Sequence, residues 1–291
     1  MTAVLALTTS LMWGLADFGG GLLTRRMSAL TVVVVSQTLA AAALGVLVVA
    51  TGGWSEWGGH LWFAAAAGVV GPVAMLAFYK ALSKGPMGVV SPLASLAVVV
   101  PVAAGLALGE RPGWLQAVGI TVAVAGVVLA GGPELRGAPV QRQTIALTLV
   151  SAVGFGAVMA LIEHAFTATA GGLFLALLVQ RVCNVAVGGA ALYVQSRRGV
   201  PVLPTGSDGG LRAVTSALPA LAFVGLADVA ANGTYMVATL YGPVTTAAVL
   251  ASLYPVVTAL AARGVLHERL RGIQAAGAGL ALCGTVLLAS A

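Results

Sequence analysis

Nearly the whole chain falls into apolar runs about twenty residues long, separated by short clusters of charge, glycine and proline, as in "MTAVLALTTSLMWGLADFGGGLLTRRMS" at its start. An α-helix rises ~1.5 Å per residue, so about twenty such residues cross the ~30 Å hydrocarbon core of a bilayer. In that medium every backbone N–H and C=O must find a partner within the protein, which leaves only helices or closed barrels. A barrel needs short segments of alternating polarity, and these runs do not alternate. The expected fold class is therefore an all-α integral membrane protein. Composition points the same way: 59% hydrophobic residues, 8% charged residues and a mean hydropathy of +1.04 leave too little polar surface for a soluble particle of 291 residues.

Cutting at the polar clusters gives ten spans, near 2–22, 29–51, 60–82, 86–109, 113–132, 144–166, 171–195, 212–240, 243–266 and 271–290. The first span has no basic residue before it and is followed by Arg25 and Arg26, so it reads as a retained helix and not as a removable leader. The most hydrophilic break, "GGPELRGAPVQRQ" at 131–143, divides the chain into a first five-span unit (1–132), a linker (133–143) and a second five-span unit (144–291).

Internal comparison supports that division. "ERPGWLQAVGITVAVAG" (110–126) and "ERLRGIQAAGAGLALCG" (268–284) share Glu-Arg, Gln, Gly and Gly at identical spacing. Upstream, "GPMGVVSPLASL" (85–96) faces "GPVTTAAVLASL" (242–253), and "WG" at 13–14 faces "FG" at 155–156. An odd number of spans per unit inserts the second unit upside down. The basic residues agree: twelve of the fourteen Lys and Arg lie in odd-numbered connections, only Arg111 lies in an even-numbered one, and Arg181 lies within a span. By this bias the protein is a multi-pass protein of the cell membrane with both termini outside the cytoplasm.

Two five-span units, the early "WG", and Glu-Arg followed by Gln and two glycines opening the last span of each unit resemble the EamA-type members of the drug/metabolite transporter superfamily. The likeness covers the whole chain and is closest in "YPVVTALAARGVLHERLRGIQAAGAGLALCG" (254–284). The first unit departs from it, with Ala97 where the second has Pro255, and that family's usual cytoplasmic termini are opposite to the orientation the charges favour here. The resemblance implies a secondary carrier of small organic metabolites, with amino acids and related zwitterionic or amphiphilic solutes as a substrate class. It also implies export, and a central cavity between inverted repeats opened alternately to either side.

The residues themselves point to such a cavity. Asp228, Asn232 and Tyr235 lie at i, i+4 and i+7 of the eighth span, on one stripe, and the seventh span carries Gln180, Arg181 and Asn184 near its midpoint. A lipid-facing charge is costly, so Asp228 and Arg181 are expected to face inward as an opposite-charge pair. That pair can equally serve only to hold the two spans together. Trp13 at mid-span, Asp17 one turn later near its helix end, Gln37 of the second span and Tyr254 of the ninth complete the expected substrate-binding set. At Tyr254 and Pro255 the helix is expected either to break or to kink. Ser95 and Ser252, at matching places in the two units, can serve the cavity or bond their own backbones. Trp54, Trp57 and Trp62 bracket a span boundary and read as interfacial. Glu163 and His164 are expected to be solvated at a helix end, with a proton relay as the alternative. Glu110 and Glu268 read as loop structure.

Other chemistries lack their residues. His60, His164 and His267 lie in separate connections without ligand spacing, Cys183 and Cys283 sit in apolar runs, and there is no phosphate-binding Gly-rich loop. No enzyme activity, metal or cofactor is expected. The net charge of +6 is dispersed in single residues and pairs, so nucleic acid is not an expected partner. The expected partners are a small-molecule substrate, the lipid bilayer and, for a dimer, a second copy. The fifth and tenth spans carry small residues every fourth position (Ala117, Thr121, Ala125; Ala275, Gly279, Cys283) for packing against neighbouring helices or that second copy. The "NGT" at 232–234 sits at membrane depth and is not a glycosylation site. A channel, or a membrane scaffold that moves nothing, remains the alternative to a carrier.

Overall fold

The computed structural model describes residues 1–24, 26–84, 94–130, 142–199, 202 and 210–266, together with 272, 273, 276, 277, 279, 280, 283, 284 and 287 of the last span. Among these residues the chain is helical and contains no strand. Helices α1 (Thr2–Thr24), α2 (Ala29–Thr51), α3 (Leu61–Lys84), α4 (Val99–Ala107), α5 (Trp114–Ala130), α6 (Arg142–Ile162), α7 (Ala170–Arg197), α8 (Leu211–Ser216), α9 (Leu218–Tyr241), α10 (Val244–Ala251) and α11 (Tyr254–Leu266) follow in order. Six of them, α1, α2, α3, α6, α7 and α9, are long and apolar enough to cross a membrane. The linker 133–143 lies outside the described residues except for its last two, Arg142 and Gln143, which open α6.

Local chemistry sets the helix ends. Ser28 accepts a hydrogen bond from Thr31 N and caps α2, which stops at Gly52 in the left-handed conformation (φ 66°). Thr169 caps α7 through Gly172 N. The ninth span, expected as one helix over 243–266, is divided in two: α10 ends at Ala251, Ser252 and Leu253 form a turn, and α11 starts at Tyr254. Pro255 has no N–H to continue the upstream helix and suits the first turn of the next one. The fourth span is irregular at the matching place, where a 3-10 turn at Ser95–Val98 leads into α4. Span eight is likewise split at Ala217 into α8 and α9.

α1 packs chiefly on α9, α3 on α6, and α2 on α7. Tyr235, Leu44, Leu175, Leu250, Met236 and Ile162 are fully enclosed in the main core. Val46, Val49, Val69, Val73, Val150 and Val153 point outward, as lipid-facing side chains do. The glycines of "WG" and "FG" explain their motifs. A Cβ on Gly14 would sit 2.8 Å from the Tyr254 carbonyl oxygen at the break before α11, and one on Gly156 would sit 2.3 Å from the Ala97 carbonyl oxygen in the 3-10 turn before α4. Each glycine lets a long helix lie against the broken helix of the other half.

The two ends of the bundle differ in charge. At one end Thr2 lies by Gly242, Gly53 lies on Gly171, Glu56 accepts hydrogen bonds from Thr167 and Thr169, and Glu110 reaches Val244. At the other, Leu23, Met27, Val214 and Leu221 cluster and Thr31 bonds the Val202 carbonyl, near the connections that carry Arg26, Arg197, Arg198 and Arg212.

Candidate functional site

The site begins with the approach of α9 to α2. Gly225 of α9 lies on the Ser36 carbonyl, so that one turn later Asp228 meets Gln37. The Asp228 carboxylate accepts four side-chain hydrogen bonds. Trp13 Nε1 (3.1 Å) and Asn232 Nδ2 (3.1 Å) donate to Oδ1, and Gln37 Nε2 (2.9 Å) and Arg181 Nη1 (2.8 Å) donate to Oδ2. Arg181 Nη1 also donates to Gln37 Oε1 at 2.8 Å, closing a ring of Asp228, Gln37 and Arg181. Four helices, α1, α2, α7 and α9, thus converge on one carboxylate.

The expected pairing of Asp228 with Arg181 is present, and the guanidinium is only half used. Arg181 is 2% exposed, yet its Nε and Nη2 have no hydrogen-bond partner in the protein. Those two nitrogens form the side-on fork that matches the two oxygens of a carboxylate. On the same turn of α7, Gln180 Oε1 and Asn184 Oδ1 are also buried and unpartnered. Buried polar groups are ordinarily satisfied, so this concentration on residues 180–184 sets the segment apart.

Aromatic rings cover the cluster. The Trp13 ring lies 6.1 Å from Tyr235 and 6.1 Å from Tyr254, the latter edge-on. Tyr235 is fully enclosed and its hydroxyl has no partner. Asp17, one turn beyond Trp13, is close enough to Asp228 and Tyr254 to act on both electrostatically. Of the nine residues expected at the site, Trp13, Gln37, Arg181, Asp228 and Asn232 are joined by hydrogen bonds, and Tyr235 and Tyr254 flank Trp13. Asn184 instead lies towards α3, its Nδ2 3.7 Å from the Cβ position of Gly71. Ser252 bonds the Val249 carbonyl, and the Ser95 side chain lies outside the described residues. Asn232 is 3% exposed and bonds the Asp228 backbone, which agrees with no glycan there.

Two features at the end of the bundle near residue 2 differ from or exceed the sequence reading. Glu163 is not solvated: its side chain is 5% exposed, Oε1 lies 3.1 Å from His164 Nδ1, and Oε2 is buried without a partner. The connection from α6 to α7 in which it lies is tied to Glu56 through Thr167 and Thr169. Burial pushes the Glu163 carboxyl from 4.5 up to about 7, against the pull of His164 and with a further push from Glu110. Glu110 does serve loop structure, in a specific way. It accepts from Val244 N at 2.6 Å and Thr245 N at 3.1 Å, and so caps α10 from 134 residues away. Its recurrence with Glu268 in the sequence was the signal for a shared role, but not for this partner; Glu268 lies outside the described residues.

Among the described residues no group of three His, Cys, Asp or Glu is placed to hold a metal. One solved structure, described as "Crystal structure of protein", superposes with a TM-score of 0.71 at 19% identity, over 98% of this chain and 95% of that one, and at that identity the likeness shows the fold alone. No curated protein matches the chain. The EamA-like transporter family matches residues 1–132 and 142–290, nearly the whole length and interrupted only at the polar linker. The chain is a multi-pass membrane protein that belongs to the EamA-like transporter family, within the drug/metabolite transporter superfamily.

Proposed function

We propose that the protein is a secondary carrier of small metabolites that bear a carboxylate and an ammonium group, amino acids and related zwitterions, and that it exports them by alternating access. The observation that carries this reading is the half-used guanidinium of Arg181. Asp228 and Gln37 hold Nη1, while the Nε and Nη2 edge is buried with no partner in the protein. A substrate carboxylate would take that fork, and the adjacent Gln180 Oε1, buried and unpartnered, would accept from the ammonium. Trp13 and Tyr254 would face the substrate's apolar part.

Alternating access is supported by the reciprocal contacts of Gly14 and Gly156 with the broken helices of the opposite half. Discontinuous helices beside a mid-membrane site are a recurrent device of inverted-repeat carriers. The purified protein in liposomes, screened against amino acids, sugars, nucleobases and organic cations with and without a pH gradient, tests the proposal. Saturable, stereoselective flux of zwitterions is expected. Unsaturable flux would make the protein a channel, and no flux of any solute would make it a scaffold.

The orientation read from the basic connections, with both termini outside the cytoplasm, is part of this proposal. Thr2→Cys and Ser290→Cys should be labelled by an impermeant thiol reagent from the extracytoplasmic side. Labelling from the cytoplasmic side alone would reverse it.

A further inference from the structure

A second set of buried groups lies away from Arg181 and Asp228, where α4, α6, α9 and α10 meet near residue 2. Glu163 follows α6 with one carboxylate oxygen on His164 and the other buried and unpartnered. Tyr235 of α9 brings an enclosed hydroxyl, also unpartnered, within electrostatic reach of Glu163 and Glu110. Glu110 follows α4 and clasps the first two amides of α10. The other titratable groups at this end are His60, whose Nε2 is buried without a partner, Glu56, which is tied to Thr167 and Thr169, and the Met1 amino group, Arg111 and Tyr241 at the adjoining helix ends. His164 itself is half exposed and stacks near Phe63.

We propose that Glu163 is a proton-binding site that controls whether this end of the bundle is closed, through the clasp of Glu110 on α10. With its proton, Glu163 is neutral and fits its buried place beside Glu110. When the proton leaves to water, a charged carboxylate that has only His164 on one oxygen stands in a buried place near a second carboxylate that is fixed on helix amides. Both burial and repulsion then favour a state in which α10 moves away from α4 and water reaches Glu163. At Asp228 four donors engage both carboxylate oxygens, whereas Glu163 retains a free one.

The direction with pH follows from linkage. An open, hydrated Glu163 has the ordinary value of 4.5, and the closed one about 7. Preference for the closed state is therefore complete below about pH 4.5, is lost progressively as pH rises, and is gone above about 7. Across that window the closed-to-open ratio falls on the order of a hundredfold. The consequence for transport rests on the carrier reading, whereas the test below needs no substrate.

The experiment places a reporter thiol on α10. Thr245 is 2% exposed and close to cysteine in size, so Thr245→Cys is introduced into the full chain, with Cys183 and Cys283 replaced by alanine, in lipid nanodiscs. Labelling by an impermeant maleimide is normalised at each pH to the detergent-unfolded protein, which removes the thiol's own titration. The rate is expected to rise at least tenfold between about pH 4.5 and 7, and Glu163→Gln should hold it at the low level throughout. Glu163→Asp, which keeps a carboxyl at a shorter reach, should keep the rise with a displaced midpoint and covers the case in which the amide variant does not fold. A flat profile in the parent, or an unchanged rise in Glu163→Gln, overturns the proposal. Solute flux is read separately: absence of flux with an intact labelling shift refutes the carrier and leaves the proton site standing.

Discussion

Gly225 and Ser36 are in backbone contact, so close that a Cβ on Gly225 would sit 2.1 Å from the Ser36 carbonyl oxygen. Because the clash would be with main chain, no side-chain rotation relieves it. Gly225→Ala is expected to push α9 off α2, lengthen the Gln37 to Asp228 hydrogen bond and destabilise the protein by about 1–3 kcal/mol, the usual range for overpacking. Thermal unfolding in detergent measures the loss. Gly45→Ala, at a place with open space around it, is the control and should be near neutral.

Asp228 separates charge from shape. Asp228→Asn keeps the volume and part of the hydrogen bonding while removing the charge opposite Arg181, so substrate flux should fall by an order of magnitude or more with only a small change in melting temperature. Asp228→Ala leaves the guanidinium buried without its partner and should cost about 3–5 kcal/mol in stability as well. Equal losses of flux and stability in both variants would reduce the pair to a bond between helices α7 and α9.

In the closed arrangement the Glu163 carboxyl also carries a folding signature. Unfolding returns it from about 7 to its ordinary 4.5, so the stability associated with it is fully present below about pH 4.5 and lost as pH rises through about 7. Glu163→Gln cannot ionise. It should match the parent in melting temperature in acid and exceed it by a few degrees above about pH 7. Melting curves across that range check this, and a parallel pair of curves would contradict it.

Glu110→Ala removes both acceptors from the start of α10. Loss of a helix cap of this kind costs about 0.5–2 kcal/mol. Glu110→Gln retains one acceptor oxygen and should fall between the parent and the alanine variant. Hydrogen exchange at the Val244 and Thr245 amides should quicken in the same order.

Much of this arrangement could be read from local rules. Span length and the scarcity of charge place α1, α2, α3, α6, α7 and α9 without further information, and mid-span polar residues pick out Gln37, Arg181 and Asp228 because lipid offers them no alternative partner. Three things were not legible. The division of α10 from α11 at Ser252 and Leu253 depends on how Gly14 packs there, since a proline in an apolar run kinks as readily as it breaks. Trp13 donating to Asp228 joins residues 215 apart, and neither residue's neighbours encode the other. Glu163 looks solvated in sequence because it sits beside a histidine at a helix end, and only packing between distant segments of the chain buries it.

The packing of α1 has a consequence for how the protein is made. Its main neighbour is α9, followed by α11, whereas its contact with the adjacent α2 is slight. α9 begins at Leu218, about 190 residues after α1 ends at Thr24. At about 5–20 residues per second, roughly ten to forty seconds separate their emergence from a ribosome. Throughout that interval Trp13 and Asp17 lie in the membrane without the partners that will enclose them. Helix α1 is therefore made long before the helices that bury it, and whatever guards nascent membrane proteins must hold it until the second half arrives.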